Sequence, residues 1–111
     1  MIYRWEVNKS KEGLEKVEGH VDINVPKAQE RMELLKSVNL KVEDGKASFN
    51  NDQVDSIIKI NKAVHDRVAS INLKIEEREI TSVDELEYYS IYQLVMNNLS
   101  NILFNGIPLG N

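Results

Sequence analysis

Three stretches of the chain alternate apolar and polar residues with the period of a half-buried β-strand. They cover residues 3–7, 20–25 and 70–76. The segment between the first two, residues 9–16, is charged and contains glycine, which is typical of a loop. We therefore expect the first two strands to form a hairpin.

Apolar residues at helical spacing predict two helices between the second and third strands. The first begins at Pro26 and ends near Ser37. Proline has no backbone N–H group, but an N–H in the first turn of a helix has no intrahelical acceptor, so no hydrogen bond is lost. Its expected inner stripe consists of Ala28, Met32 and Leu35, widened by Leu34 and Val38. The second helix follows a cap at Asn50 or Asn51. Its expected inner face consists of Val54, Ile57, Ile58, Val64 and Val68, with Ile60 at the edge.

A short hairpin is expected between these two helices, over residues 40–49. Asp44-Gly45 is a strong signal for a two-residue turn. In that register Leu40 and Val42 on one arm face Ala47 and Phe49 on the other.

A long terminal helix is predicted over residues 82–106. Ser82 and Glu85 fit a capping box at its start, and Gly106 followed by Pro108 marks its end. Its apolar positions span about 140°, whereas a helix on one sheet needs about 100°. The residues in this arc are Ile91, Tyr92, Val95, Met96, Leu99, Ile102 and Leu103. Tyr92, Met96 and Leu103 form the surplus edge, which either this chain or another chain must cover.

These elements predict an α+β domain, in the order β-β-α-(ββ)-α-β-α, spanning residues 1–111. A mostly antiparallel sheet would carry about three helices on one face. At 111 residues the chain has the length of one domain.

Composition narrows the classes of function. The chain has no cysteine, which excludes disulfides and thiolate chemistry. Its net charge of −4 argues against direct binding to nucleic acid through phosphate contacts. No apolar run reaches the length of a signal peptide or a membrane span, so we expect a soluble, cytoplasmic protein without a membrane partner. Abundant Lys, Asn and Ile are typical of an AT-rich bacterium or phage.

No catalytic, metal or nucleotide motif is visible, and we predict no cofactor. His20 lies on the polar side of its strand. His65 points toward the core or its rim, where a hydrogen-bonded packing role beside Asn61 is the favoured interpretation. Arg31 falls within the apolar arc of the first helix, which allows its stem to lie along that face.

Six carboxylates and a single arginine crowd residues 76–87. The carboxylates are Glu76, Glu77, Glu79, Asp84, Glu85 and Glu87. They lack the central glycine and ligand spacing of a calcium loop, and a charge run of this kind is usually solvated surface. We therefore predict an acidic patch and no metal site.

The favoured function is a non-enzymatic protein–protein interaction module, such as an accessory or assembly factor. Its partner would be another protein or a second copy of the chain. Tyrosine and apolar side chains suit such contacts. The residues expected to carry them are Tyr88, Tyr89, Tyr92, Met96, Leu103, Ile107 and Leu109. The alternative is an acidic inhibitor that presents residues 76–87 to a basic nucleic-acid-binding protein.

Overall fold

An antiparallel sheet and the helices beside it make up the described part of the chain. A computed structural model describes residues 1–9, 16–38, 41–43, 46–48 and 54–107. The strands are β1 (Ile2–Lys9), β2 (Val17–Asn24), β3 (Lys41–Glu43), β4 (Lys46–Ser48), β5 (Val68–Ile75) and β6 (Arg78–Ile80). The helices are α1 (Ala28–Ser37), α2 (Val54–Arg67), α3 (Val83–Leu86) and α4 (Tyr92–Asn105). None of the helices in these ranges is long and apolar enough to cross a membrane.

The main sheet has the order β1-β2-β5-β6, and every neighbouring pair is antiparallel. The predicted α+β class is confirmed, with four helices instead of about three in the described ranges. Trp5, Val21 and Ile71 lie opposite one another in a row on the inner face, where the helices pack. Strand alternation, read from the sequence, therefore identified the buried face correctly.

The outer face of the sheet is polar and is held together across three strands. Arg4 donates to both carboxylate oxygens of Asp22, at 2.8 and 3.1 Å, and the Ser70 hydroxyl donates to the same carboxylate at 2.8 Å. The hydrogen bonds from Arg4, with that from Ser70, lower the pKa of Asp22 to about 2. His20 lies on this face, two residues from Asp22, as predicted.

Gly19 is required in the middle of β2 because the next strand approaches it closely. Its φ is +132°, and a Cβ at this position would lie 2.1 Å from the carbonyl oxygen of Asn72. No side chain fits there unless the β2–β5 ladder moves apart.

The short hairpin is confirmed by the pairing of β3 with β4, in which Val42 lies opposite Ala47. It forms a separate two-stranded sheet. The turn at Asp44-Gly45, with Leu40 and Phe49, lies outside the described residues. So do residues 10–15 of the loop predicted over residues 9–16, and the cap at Asn50 or Asn51, whereas Lys9 belongs to β1.

The predicted inner faces of α1 and α2 are correct only in part. In α2 the buried residues are Ser56, Ile60 and Val64, whereas Val54 and Ile58 are 68% and 60% exposed. Ile58 lies about 120° from Val64 around the helix, so one stripe cannot contain both. Ser56 points inward, where the hydrophobic pattern had predicted the larger side chains of Val54 and Ile58. Val68 belongs to β5.

In α1, Leu34 and Leu35 are half-buried and Val38 at its end is buried, as predicted, whereas Ala28 and Met32 are exposed and Arg31 is half-buried. The helix therefore lies at the periphery of the core. The Arg31 guanidinium packs beside Gly106, within 3.4 Å of where a Cβ on that glycine would lie. A positive charge at the end of α4 complements the negative end of the helix dipole.

The predicted terminal helix is interrupted. Both predicted ends are present: the Glu85 amide donates to the Ser82 hydroxyl at 3.2 Å, and α4 ends at Gly106, whose φ is +92°. Between α3 and α4, however, residues 87–91 form a turn. In an unbroken helix the nine residues from Leu86 to Val95 would place these side chains about 180° apart. Both are buried in the same core, so the helix must break.

A second hairpin, β5–β6, was not predicted. Its turn consists of Glu76 and Glu77, both with positive φ, at 47° and 71°. Glycine and asparagine are the usual residues in that conformation. The Glu76 carboxylate also accepts a hydrogen bond from the Lys16 amide at 2.8 Å, which ties the turn to the start of β2.

Glu77→Gly is expected to stabilise the protein, because glycine adopts positive φ without the steric cost borne by glutamate. The gain in free energy of unfolding, measured by urea denaturation, should be about 1 kcal/mol. Glu77→Gln is the matched control, since it removes the charge and keeps the strain. An equal gain in both variants would attribute the effect to charge repulsion and contradict the conformational explanation.

Candidate functional site

The turn between α3 and α4, residues 87–91, forms the candidate site together with α2. Backbone hydrogen bonds of the tight i→i−3 type hold it, from the Tyr88 amide to Glu85 and from the Tyr89 amide to Leu86. Two surface depressions flank this α3–α4 turn, one against α2 and one against β6. The turn therefore contributes side chains to two neighbouring surfaces.

The depression against α2, called here the α2 groove, has a volume of about 500 Å³. Its lining residues are Ile58, Asn61, Lys62, His65, Asp66, Glu87 and Tyr92. Ile58 provides an exposed apolar wall, and the remaining positions are mostly polar or charged. The groove therefore combines an apolar contact with hydrogen-bonding groups, as peptide-binding surfaces do.

His65 and Tyr92 form the central contact of the α2 groove. The His65 Nε2 atom lies 2.9 Å from the Tyr92 hydroxyl, and the rings meet edge to face with centroids 6.1 Å apart. Burial, together with the negative charges of Glu87 and Asp84, raises the pKa of Tyr92. The hydroxyl therefore stays protonated at neutral pH and is available to donate to a neutral imidazole.

Asn61 was expected beside His65, and it lines the same groove but bonds elsewhere. Its side-chain amide donates to Gln93 at 3.2 Å, and Gln93 donates to Asn97 at 2.9 Å. These amides form a chain along the exposed side of α4. They link α2 to α4 without using a charge.

His65, Asp84 and Glu87 are the residues best placed to hold a metal ion within the described ranges. Their donor atoms lie within 4.8 Å of one another, and the Glu87 carboxylate is 3.5 Å from His65 Nε2. One imidazole and two carboxylates suit a divalent transition metal. However, Nε2 is already engaged with the Tyr92 hydroxyl, and both carboxylates are exposed. The structure therefore gives His65 a packing partner in Tyr92, with Glu87 and Asp84 as exposed carboxylates beside it.

The depression against β6 carries the most exposed tyrosine. Its lining residues are Arg78, Glu79, Ile80, Glu85, Tyr88 and Tyr89. Tyr88 is 91% exposed, whereas Tyr89 is half-buried against the core. A phenol this exposed contributes nothing to packing within the described residues and is free to contact a partner.

The structure divides the predicted acidic patch among three places. Glu79 and Glu85 line the depression against β6, and Asp84 and Glu87 lie near His65. Glu76 and Glu77 form the β5–β6 turn, where Glu76 is bonded to Lys16. The sequence run therefore includes residues with a structural role as well as surface charges.

The surplus edge of the terminal helix is buried within the chain. Met96 and Leu103 are 1% and 0% exposed; they belong to the same core as the main sheet, and α4 also packs against α1, α2 and β4. Tyr92 and Ile107 are half-buried, and Leu109 lies outside the described residues. Of the predicted interaction residues, Tyr88 is therefore the one that stands clear of the core.

Sequence reasoning did not identify Ile58 as a surface residue. Ile58 and Val54 lie one helical turn apart, and both were assigned to the inner face of α2. The rotation of α2 is marked by Ser56, which is buried. A serine does not contribute to a hydrophobic pattern, so the sequence did not reveal this rotation.

Met96→Glu is expected to unfold the protein, because an unpaired carboxylate in the core costs several kcal/mol. Circular dichroism would show the loss of helix. Leu94→Glu, on the exposed side of the same helix at 42% exposure, should retain the fold. A folded Met96→Glu variant that loses only a bound partner would contradict the intrachain burial.

Comparison of the chain with protein-family models, curated proteins and solved structures gives no significant match. A function for this fold must therefore be argued from the chemistry of its surfaces, since a fold alone implies no activity. The α2 groove and the α3–α4 turn are the surfaces with the most distinctive chemistry.

Proposed function

We propose that the chain is a non-enzymatic protein-interaction module whose α2 groove receives a basic segment of a partner protein. Ile58 beside the groove and Tyr88 on the α3–α4 turn are the apolar and aromatic anchors. An accessory or assembly factor of an AT-rich bacterium or phage fits this role. The observation that carries the proposal is the exposure of Ile58 in the charged α2 groove, with exposed Tyr88 in the neighbouring depression on the other side of the α3–α4 turn.

The anchors suit binding because neither is needed for the core. Ile58 is 60% exposed and Tyr88 is 91% exposed, so each retains most of its surface for a partner. Large apolar and aromatic residues contribute most of the binding energy at interfaces. Single exposed apolar residues are common, but here each anchor lines a depression, Ile58 the α2 groove and Tyr88 the depression against β6.

The charges around the α2 groove select the partner. Asp66 and Glu87 line it and Asp84 lies beside it, whereas Lys62 is its only lysine or arginine among the lining residues. The excess of negative charge favours a segment with lysine or arginine next to its apolar anchor. Carboxylates at a rim act mainly on association rate and specificity, while the anchors supply affinity.

An acidic inhibitor remains the second candidate, supported by Glu79 and Glu85 beside Tyr88. Its binding to a basic surface would depend on charge and would weaken steeply with salt. It would also be insensitive to Ile58, which lines the other depression.

A display library of short peptides, selected against the purified chain, tests the proposed function. Enriched peptides should combine basic residues with an apolar anchor. Ile58→Ser should weaken their binding about tenfold or more, as expected for loss of an anchor. Met32→Ser is the matched control, because Met32 on α1 is 70% exposed, against 60% for Ile58, and lies outside the groove.

Enrichment without basic residues, or equal losses in both variants, would contradict the proposed use of the groove. Binding that disappears at high salt yet withstands Ile58→Ser would favour the acidic inhibitor.

A further inference from the structure

Strand β1 forms one edge of the main sheet. It is eight residues long, and in the described part of the chain no strand pairs with its other side. An edge of this length offers a row of amide and carbonyl groups to another strand. β1 is therefore the element of this fold best suited to extending the sheet.

The direction of its backbone groups follows from the ladder with β2. The Val25 amide donates to the Met1 carbonyl at 2.8 Å, so odd-numbered residues of β1 direct their backbone groups toward β2. The even-numbered residues then direct theirs to the free edge. Arg4 and Glu6 are the two charged residues among them.

The two faces of β1 differ in chemistry. Tyr3 and Trp5 are half-buried on the inner face beside buried Val7, whereas Arg4 and Glu6 are exposed on the outer face. A strand added to this edge must therefore match an apolar face and a charged face at once.

We propose that the edge of β1 pairs antiparallel with β1 of a second copy of this chain, about a two-fold axis at Trp5. This register places Arg4 of each copy opposite Glu6 of the other, and Tyr3 opposite Val7. The main sheet then continues across the dimer. This interface is separate from the α2 groove and does not depend on the proposed function.

Face matching and charge select this register. A shift by one residue would set the apolar face of one copy against the charged face of the other. A shift by two residues keeps the faces matched but places Arg4 opposite Arg4, or Glu6 opposite Glu6. Like charges directly opposite one another destabilise a strand pair, whereas opposite charges stabilise it.

The backbone and the side chains favour the same arrangement. Arg4 and Glu6 both direct their backbone groups outward, so they form a hydrogen-bonded pair across the axis. The Nε and Nη2 atoms of Arg4 donate to Asp22 of β2, which lies on the side of β1 away from the free edge. Its Nη1 group is the guanidinium nitrogen that remains for Glu6 of the second copy.

Single cysteines test the register directly, because the chain contains none of its own. Arg4→Cys and Glu6→Cys proteins, mixed and mildly oxidised, should form a covalent dimer between the two variants. Each variant alone should cross-link poorly, since its own copies would lie beyond the ~7 Å Cα separation that a disulfide spans. Cross-linking of Arg4→Cys alone, or of Glu6→Cys alone, would overturn this register.

Sedimentation equilibrium tests the dimer without an introduced thiol. The unmodified chain should be dimeric, and Glu6→Lys should raise the dissociation constant roughly tenfold or more, because the two-fold axis repeats each like-charge contact. Glu33→Lys, an equal charge change on exposed α1, should leave the constant unchanged. A monomer at the highest attainable concentration, or equal effects of the two variants, would overturn the proposal.

Discussion

Burial of Leu86 in the same core as the apolar face of α4 is the constraint on which the described fold and its candidate site depend. An unbroken helix cannot satisfy it, because Leu86 and Val95 would point in opposite directions. The chain breaks at the α3–α4 turn, and both side chains become buried. The same break directs Tyr88 outward and brings Glu87 beside His65.

The core that results leaves α4 little apolar surface to offer a partner. Met96 and Leu103, on its widest edge, are covered by the chain itself. A helix with so wide an apolar arc needs more than the main sheet, and α1, α2 and β4 also pack against it. The large exposed apolar and aromatic side chains near α4 consequently lie on α2 and on the α3–α4 turn, at Ile58 and Tyr88.

The sequence predicted β1, β2, β5 and the class of fold, because an alternating pattern with one buried face fixes which side chains point inward. It missed the short strand β6. It failed where a polar residue took an unusual position. Ser56, on α2, faces the protein core. Glu76 and Glu77 form a turn with positive φ, which we would have predicted had glycine stood there. Tyr88 was identified as a candidate, but the contact of His65 with Tyr92 depends on how α2 packs on α4.

The free energy of unfolding of Leu86→Ala, measured by urea denaturation, tests the helix break most directly. Leu86 is fully buried, so the truncation should destabilise the protein by about 2–5 kcal/mol. Leu94→Ala, on the exposed side of α4, should cost far less. A continuous helix from Ser82 to Gly106 would place Leu86 in solvent, and a loss for Leu86→Ala as small as that for Leu94→Ala would contradict the account.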